Sequence, residues 1–331
     1  MLTGLRVTGL VLCTGVLVLF ALLSIAVGAR SVPLSTVVDV LFDPDGSYDA
    51  LVVVGQRVPR TILGILVGAA LGLAGALMQS LTRNPLADPG LLGVNSGAAA
   101  AVVSAISFLG LTSPLEYVWF AFVGAAVAAV VVYLLGSSGR AAGPVRLALA
   151  GTAISAVLVA YTYAVQLADD KALDQFRFWI VGGLAGRDLD ILTRVGPFLA
   201  VGLVVGLLLA RPLNVVALGD ETGRALGANL GRVRLTAAAS ITLLCGAATA
   251  AAGPFSFIGL TVPHIARSLV GADQRWVLPY SALLAPCLLL GADVLGRVVV
   301  PPSELEAGLV TAFLGAPVFI MLVRRRRVVQ L

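Results

Sequence analysis

Long apolar runs follow one another along this chain, each close to the length of a membrane-crossing helix and separated from the next by a short polar break. About 20 mostly apolar residues in a helix cross the hydrocarbon core of a bilayer. A window of about 19 residues places spans near 8–28, 58–81, 93–110, 116–136, 146–167, 191–210, 235–253, 257–271, 278–298 and 306–323, the eighth being short. The pattern breaks inside "GPFSFIGLTVPHIAR" (253–267), where two prolines and two glycines interrupt it. With 59% hydrophobic and 12% charged residues and a mean hydropathy of +1.02, an ordinary soluble domain is excluded. The chain reads as an all-α integral membrane protein of about ten transmembrane helices, with residues 1–331 as a single domain.

The first run, 9–28, ends in "AVGAR", which imitates a signal-peptide end, but its length suits a full span. The bulky residues of "LVLC" before Cys13 do not suit a lipoprotein site. Cys13, Cys245 and Cys287 lie singly in apolar runs and read as buried small residues, not as a disulfide framework or metal cluster.

Charge distribution sets the expected orientation, because short cytoplasmic loops collect Lys and Arg. With the amino terminus inside, Arg6, Arg83, Arg140, Arg146, Arg211, Arg224, Arg232, Arg234, Arg267, Arg275 and Arg324 to Arg327 fall on the cytoplasmic side, 14 of the 22 basic residues. Only Asp88, Asp220, Glu221 and Asp273 of the 17 acidic residues join them. Both termini are therefore expected in the cytoplasm, with "RRRR" (324–327) as a final anchor.

On that topology "LTRNPLADPG" (81–90) is the first cytoplasmic turn. Pro85 and Pro89 forbid continuous helix, and Asn84 and Asp88 are suited to bond the freed backbone groups. Just before it, Gly64, Gly68 and Gly72 recur every fourth residue and leave a smooth strip for close helix packing.

The stretch "RVPRTILGILVGAALGLAGALMQSLTRNPLADPGLLGVNSGA" (57–98) resembles the permease subunits of type II ABC importers, which carry iron-siderophores, haem and vitamin B12. "ALGDETGRALGANLGRVR" (217–234), "FIGLTVPHIAR" (257–267) and "GLVTAFLGAPVFIMLVRR" (308–325) extend the resemblance in order along nearly the whole chain. Pro254 and Glu306 depart from the family pattern locally. The resemblance implies the type II importer permease architecture in a bacterial cytoplasmic (inner) membrane. It further implies transport of a metal chelate, foremost a ferric siderophore, with vitamin B12 or haem as the alternative cargo. Implied partners are a dimeric ATP-binding cassette ATPase that uses ATP and Mg, an extracytoplasmic substrate-binding protein, a second permease subunit, identical or related, and the lipid bilayer. No nucleic acid and no cofactor of the chain's own are expected.

The residues agree with a transport subunit that is not an enzyme. A phosphate-binding P-loop needs a lysine in G-x-x-x-x-G-K-[ST]; Lys171, the one lysine, lies in an outer loop. An ion-coupled secondary transporter, the other class of carrier, would place ionisable groups near the midplane, whereas the expected spans keep theirs near the ends. An intramembrane enzyme would need paired catalytic groups at one depth. His264 is the sole histidine and one ligand makes a poor metal site, so it reads as a packing residue.

The cytoplasmic loop 211–234 is long enough to carry function. Asp220 is placed to cap a short helix with Glu221 in its first turn, and Gly227 suits its end. By resemblance this is the ATPase-coupling segment, with Gly219, Asp220, Glu221, Arg224, Leu226 and Gly227 at its centre, while Arg83, Asn84, Pro85 and Leu86 form the cytoplasmic turn and gate region. At the outer face Arg57 and Arg60 share one side of the expected start of the second span, where cations oppose the helix dipole. Arg297 ends the ninth span, with Asp293 one turn earlier as a possible partner. By resemblance Arg57, Arg60 and Arg297 receive glutamates of the binding protein. Ser303 and Glu306 fit a capping box opening the tenth helix.

Overall fold

The computed structural model describes residues 2–43, 45–137, 144–187, 189–301 and 303–324. Arg140 and Arg325 to Arg327 of the expected cytoplasmic set lie outside them. The described chain is a bundle of helices: α1 (Leu2–Ala26), α2 (Leu34–Phe42), α3 (Tyr48–Val52), α4 (Val58–Thr82), α5 (Val94–Leu109), α6 (Pro114–Ser137), α7 (Pro144–Ala168) and α8 (Asp170–Val181), then α9 (Leu189–Leu208), α10 (Ala210–Ala217), α11 (Asp220–Ala225), α12 (Leu230–Ala252), α13 (Ile258–Val270), α14 (Gln274–Val299) and α15 (Ala307–Arg324).

Every expected span has its helix. Among the described residues seven helices are long and apolar enough to cross a membrane, and α5, α13 and α15 supply three shorter apolar ones. The second span differs from expectation at its start. α3, a π-helical turn over Val53–Arg57 and α4 run on as one apolar rod of 35 residues, Tyr48–Thr82. Arg57 and Arg60 thus sit inside a helix and escape the amino-terminal dipole cost that the sequence suggested, because Ser47, not Arg57, caps the rod through its bond from Ala50 N–H.

α4 occupies the middle of the bundle, packed by α14, α12, α13 and α9. Protein covers 83% of its apolar window, against 6% for α1, whose leucines and valines are left for lipid. The difference follows from side-chain size: bilayer tails solvate a leucine face as well as protein does, so close association depends on small residues. A Cβ on Gly68 would come within 2.6 Å of Pro286 Cα in α14, and one on Gly72 would meet the Ser281 carbonyl and Ala285. Gly64 lies under Leu290 and Leu184. The strip expected from the four-residue spacing is therefore the α4–α14 seam.

The break after α4 forms as its residues dictate. Asn84 Oδ1 accepts from Leu86 N–H at 3.0 Å and Asp88 Oδ1 from Gly90 N–H at 2.7 Å, opening a 3₁₀ turn over Pro89–Leu92. The capping box at Ser303 does not form, and α15 begins at Ala307. Leu305 N–H donates to Gly296 O and Gly308 N–H to Gly182 O, each at 2.9 Å, so tertiary backbone bonds hold the segment away from helix until Glu306. His264 is buried within α13. Arg267, expected among the cytoplasmic loop cations, is instead 2% exposed in the last turn of that helix, where the carboxyl-end dipole favours a cation.

Candidate functional site

Two polar ends of the bundle gather the residues singled out from sequence. At the end carrying α2, α3 and α8, Arg57, Arg60 and Arg297 converge, but they are turned inward. The Arg57 guanidinium caps the carboxyl end of α1: Nη1 donates to Ile25 O at 3.0 Å and Ala26 O at 2.8 Å, and Nη2 to Arg30 O at 2.6 Å. Arg60 forks onto Asp293, with Nη2–Oδ1 at 2.7 Å and Nε within 3.2 Å of both carboxylate oxygens. Its Nη1 reaches Glu304 Oε2 at 2.7 Å. Arg297 pairs with Asp293 from the other side and donates through Nη1 to Ser24 O at 2.7 Å and Val27 O at 3.0 Å.

Asp293 is wholly buried and Arg297 is 2% exposed. Taking such ions out of water costs several kcal/mol each, and only pairing with near-complete hydrogen bonding offsets it. The arrangement meets that requirement, with one carboxylate between two guanidiniums and carbonyls taking much of the remaining donor capacity. The Asp293–Arg297 pair was legible from four-residue helical spacing. Its joining to Arg60, and the part of Glu304, were not, because Arg60 and Asp293 are 233 residues apart. Beside the cluster, burial pushes the Glu306 carboxyl above the usual range against the pull of Arg60 and Arg187.

A cavity of about 340 Å³ opens over this cluster, bounded by Arg30, Tyr48, Gln56, Arg57, Arg60 and Glu304 among others. It gives the inward-turned arginines a concave, cationic mouth.

At the opposite end α10 and α11 lead into α12. Gly227, at φ +78°, adopts the left-handed conformation that closes a helix. Its N–H donates to Arg224 O at 2.9 Å and Ala228 N–H to Gly223 O at 3.0 Å, the paired bonds of a Schellman end. Asn229 then caps α12 by accepting from Arg232 N–H at 3.1 Å. Glu221, Arg224 and Leu226 stay exposed, Leu226 by 64%. Asp220 departs from its expected capping role. Gly219 stands at the cap, and the Asp220 carboxylate, in the first residue of α11, accepts from Arg234 Nη2 at 2.7 and 2.8 Å and from Arg83 Nη2. Two guanidiniums outcompete the backbone N–H groups because their bonds are charge-assisted. The hydrogen bond from Arg234, followed by that from Arg83, holds the Asp220 carboxyl below the usual carboxylate range despite partial burial. Arg83 itself adopts φ +51°, an uncommon conformation for a side-chain-bearing residue, at the carboxyl cap of α4. Asn84 and Leu86 are exposed beside it and Pro85 is half-buried. The structure thus brings the turn 83–86 and the segment 219–227 together through Asp220.

Comparison with known proteins follows the same outline. The sequence profile of the FecCD transport family matches residues 16–325. The chain is 48% identical over 324 residues to the ferric enterobactin transport system permease protein FepD of Escherichia coli (strain K12), covering 98% of this chain and 96% of that one. It is 41% identical over 305 residues to the Fe(3+)-citrate import system permease protein YfmD of Bacillus subtilis (strain 168), covering 92% and 91%. A solved structure described as "an inward-facing conformation of a putative metal-chelate type ABC transporter" superposes with a TM-score of 0.85 at 27% identity, covering 96% of this chain and 99% of that one. Together with the helical bundle, these matches bear out the resemblance to type II importer permeases: the chain belongs to the FecCD transport family.

Proposed function

We propose that this chain is the membrane-spanning permease subunit of an ATP-driven importer and that its cargo is a ferric siderophore. The observation that carries the reading is the 48% identity, over 98% of the chain, to a permease named for ferric enterobactin transport. The chain is not an enzyme; ATP and Mg are used by a separate ATPase dimer. The exposed Glu221, Arg224 and Leu226, held on a short helix that Gly227 ends, support docking of that ATPase on residues 219–227. The arginine-lined cavity at the other end supports docking of an extracytoplasmic binding protein over Arg57, Arg60 and Arg297. A second permease copy or relative completes the pathway. The charge split supports both termini in the cytoplasm of a bacterial inner membrane, with residues 1–331 as one domain and 211–234 on the cytoplasmic side.

Uptake of radiolabelled iron tests this. In cells lacking the chain, uptake of the iron–siderophore complex should fall to background and return with the chain, its ATPase and its binding protein. Equal uptake of free ferric iron, haem or vitamin B12 under the same requirements would overturn the cargo assignment. ATP-independent uptake into vesicles holding this chain alone would overturn the importer reading.

A further inference from the structure

The chain after α4 does not stay at the end of the bundle. A Cβ on Gly259 of α13 would lie 3.1 Å from Pro89 Cδ and 3.2 Å from Leu71 O, so Pro89 rests beside Leu71 of α4. Leu71 precedes the end of α4 at Thr82 by eleven residues, about 16 Å at the helical rise of about 1.5 Å per residue. Leu91 O sits against Gly151 within α7, and Asn95 Oδ1 accepts from Thr249 Oγ1 at 3.0 Å, nineteen residues into α12. Residues 87–95 therefore fold back among the spans, and α5, at 16 residues, is short because it begins at that depth.

The returning segment carries a carboxylate and an amide with it. Asp88 Oδ1 accepts from Gly90 N–H, and Oδ2 receives no hydrogen bond among the described residues. Asn95 is anchored through Oδ1, and its Nδ2 donates to none among them. A Cβ on Gly90 would come 2.8 Å from Asp88 Oδ1 and 3.7 Å from Asn95 Nδ2, so the side chain that Gly90 lacks leaves a notch between the two. Asp88 and Asn95 are half-buried, whereas Thr249 behind them is 1% exposed. Ionisable groups at membrane depth face the bundle interior or a water-filled cavity, not lipid. The open side of this pair therefore marks a wall of an aqueous route. At the same Gly259 contact, Gln79 Nε2 donates to Leu260 O at 3.1 Å while its buried Oε1 receives nothing among the described residues, so unspent polar capacity continues toward the cytoplasmic end of α4.

We propose that Asp88 and Asn95 form a cargo-contacting step in the translocation route, one that selects uncharged hydrogen-bonding groups on the chelate and foremost an amide. The assignment rests on the reading of the chain as a siderophore permease. An amide presents an N–H and a carbonyl side by side; Asp88 Oδ2 accepts from the first and Asn95 Nδ2 donates to the second. Gly90 gives the amide room to approach the backbone between them. The Asp88 charge turns away a carboxylate at the same point, because like charges repel strongly where water is scarce. Selection thus continues inside the route after the cargo has been delivered to it.

The test uses the complete transporter, with its ATPase and binding protein, in proteoliposomes and radiolabelled ferric enterobactin as an amide-bearing chelate. Asp88→Asn keeps the bond from Gly90 N–H, and Asn95→Asp keeps the acceptor for Thr249, so each removes one cargo contact and spares the fold. Either should lower the uptake rate about tenfold, the loss of one hydrogen bond to a charged or buried polar group, while docking of the binding protein stays as in wild type. Asp88→Cys, in a background without Cys13, Cys245 and Cys287, should be alkylated by a water-soluble maleimide, since a thiol reacts where water lets it ionise. Delivery of ferric enterobactin should slow that alkylation severalfold. Wild-type uptake by both Asp88→Asn and Asn95→Asp, absence of labelling at position 88, or labelling that the cargo leaves unchanged would overturn the assignment. If the wild-type transporter takes up no ferric enterobactin, the siderophore reading fails and takes the assignment with it.

Discussion

Arg83 and Asp220, 137 positions apart in the chain, meet in an ion pair that ties the turn after α4 to the first residue of α11. Arg234 at the start of α12 closes on the same carboxylate. Each of these side chains is about a third exposed, so solvent screens the pairs and their share of overall stability is small. What the pairs supply is register: Arg83, at φ +51°, lays its guanidinium on α11 and so ties the first residue of that helix to the carboxyl end of α4, the most buried of the seven long apolar helices.

Asp220→Asn should therefore lower stability by less than about 1 kcal/mol while reducing siderophore uptake severalfold and loosening its link to ATP hydrolysis. Co-purification of the ATPase should persist. Uptake per ATP hydrolysed, measured in proteoliposomes, checks this; an unchanged ratio would reduce the ion pairs to a local brace.

Removing the shared carboxylate at the other end should be far more damaging. Asp293→Ala leaves Arg60 and Arg297 facing each other in a buried site, and breaking such a pair costs about 3–5 kcal/mol. The variant should unfold at markedly lower temperature in detergent or fail to accumulate. Glu304→Gln, at a half-open position, should melt within a few degrees of wild type.

Gly227→Val places a β-branched side chain at φ +78° with open space around it. The penalty is backbone strain of about 1–2 kcal/mol, with no clash to add. α11 should lose its fixed end, and ATPase co-purification should weaken although the bundle stays folded by circular dichroism. Gly68→Leu tests the opposite case: φ is ordinary but the α14 backbone fills the space, so folding itself should fail.

The stability of the α14 start should depend on pH through Asp273. Its hydrogen bonds, from Arg275 first and then Asn214, hold its pKa at about 2. A depressed carboxyl pKa contributes stability above the unfolded value of about 3.9 and loses it as pH falls through the folded one. Asp273→Asn should melt earlier than wild type at neutral pH, and the gap should close between about pH 4 and pH 2. A gap that stays constant across that range would show the carboxylate charge to be irrelevant.

Topology is open to single cysteines placed in a background without Cys13, Cys245 and Cys287. Sites in 43–49 and 169–175 should react with an impermeant reagent in intact cells, and sites in 84–90 and 213–232 only after permeabilisation. Labelling of the second set from outside would reverse the orientation inferred from the charge split.

The order and number of the apolar helices were readable from sequence because hydropathy is a local sum, and a membrane span needs nothing beyond its own residues to be recognised. The α4 strip of Gly64, Gly68 and Gly72, the Asx-bonded turn at Asn84 and Asp88, the Gly227 helix end and the Asp293–Arg297 pair were legible for the same reason: each depends on residues a few positions apart. The partners of Arg57, Arg60, Arg83 and Asp220 were not. A guanidinium or carboxylate bonds to whichever acceptor or donor lies nearest in space, and packing of α1, α4, α11 and α14 decides which that is. Tertiary contacts also overrode local rules at Asp220, which gave up its cap for two arginines, and at Ser303, where backbone bonds to Gly296 and Gly182 delayed the start of α15. Sequence alone thus determined a many-span membrane bundle and which residues gather at each end. Only the tertiary structure decided which of those charges are spent inside the protein and which, like Glu221 and Arg224 on α11, stay at its surface.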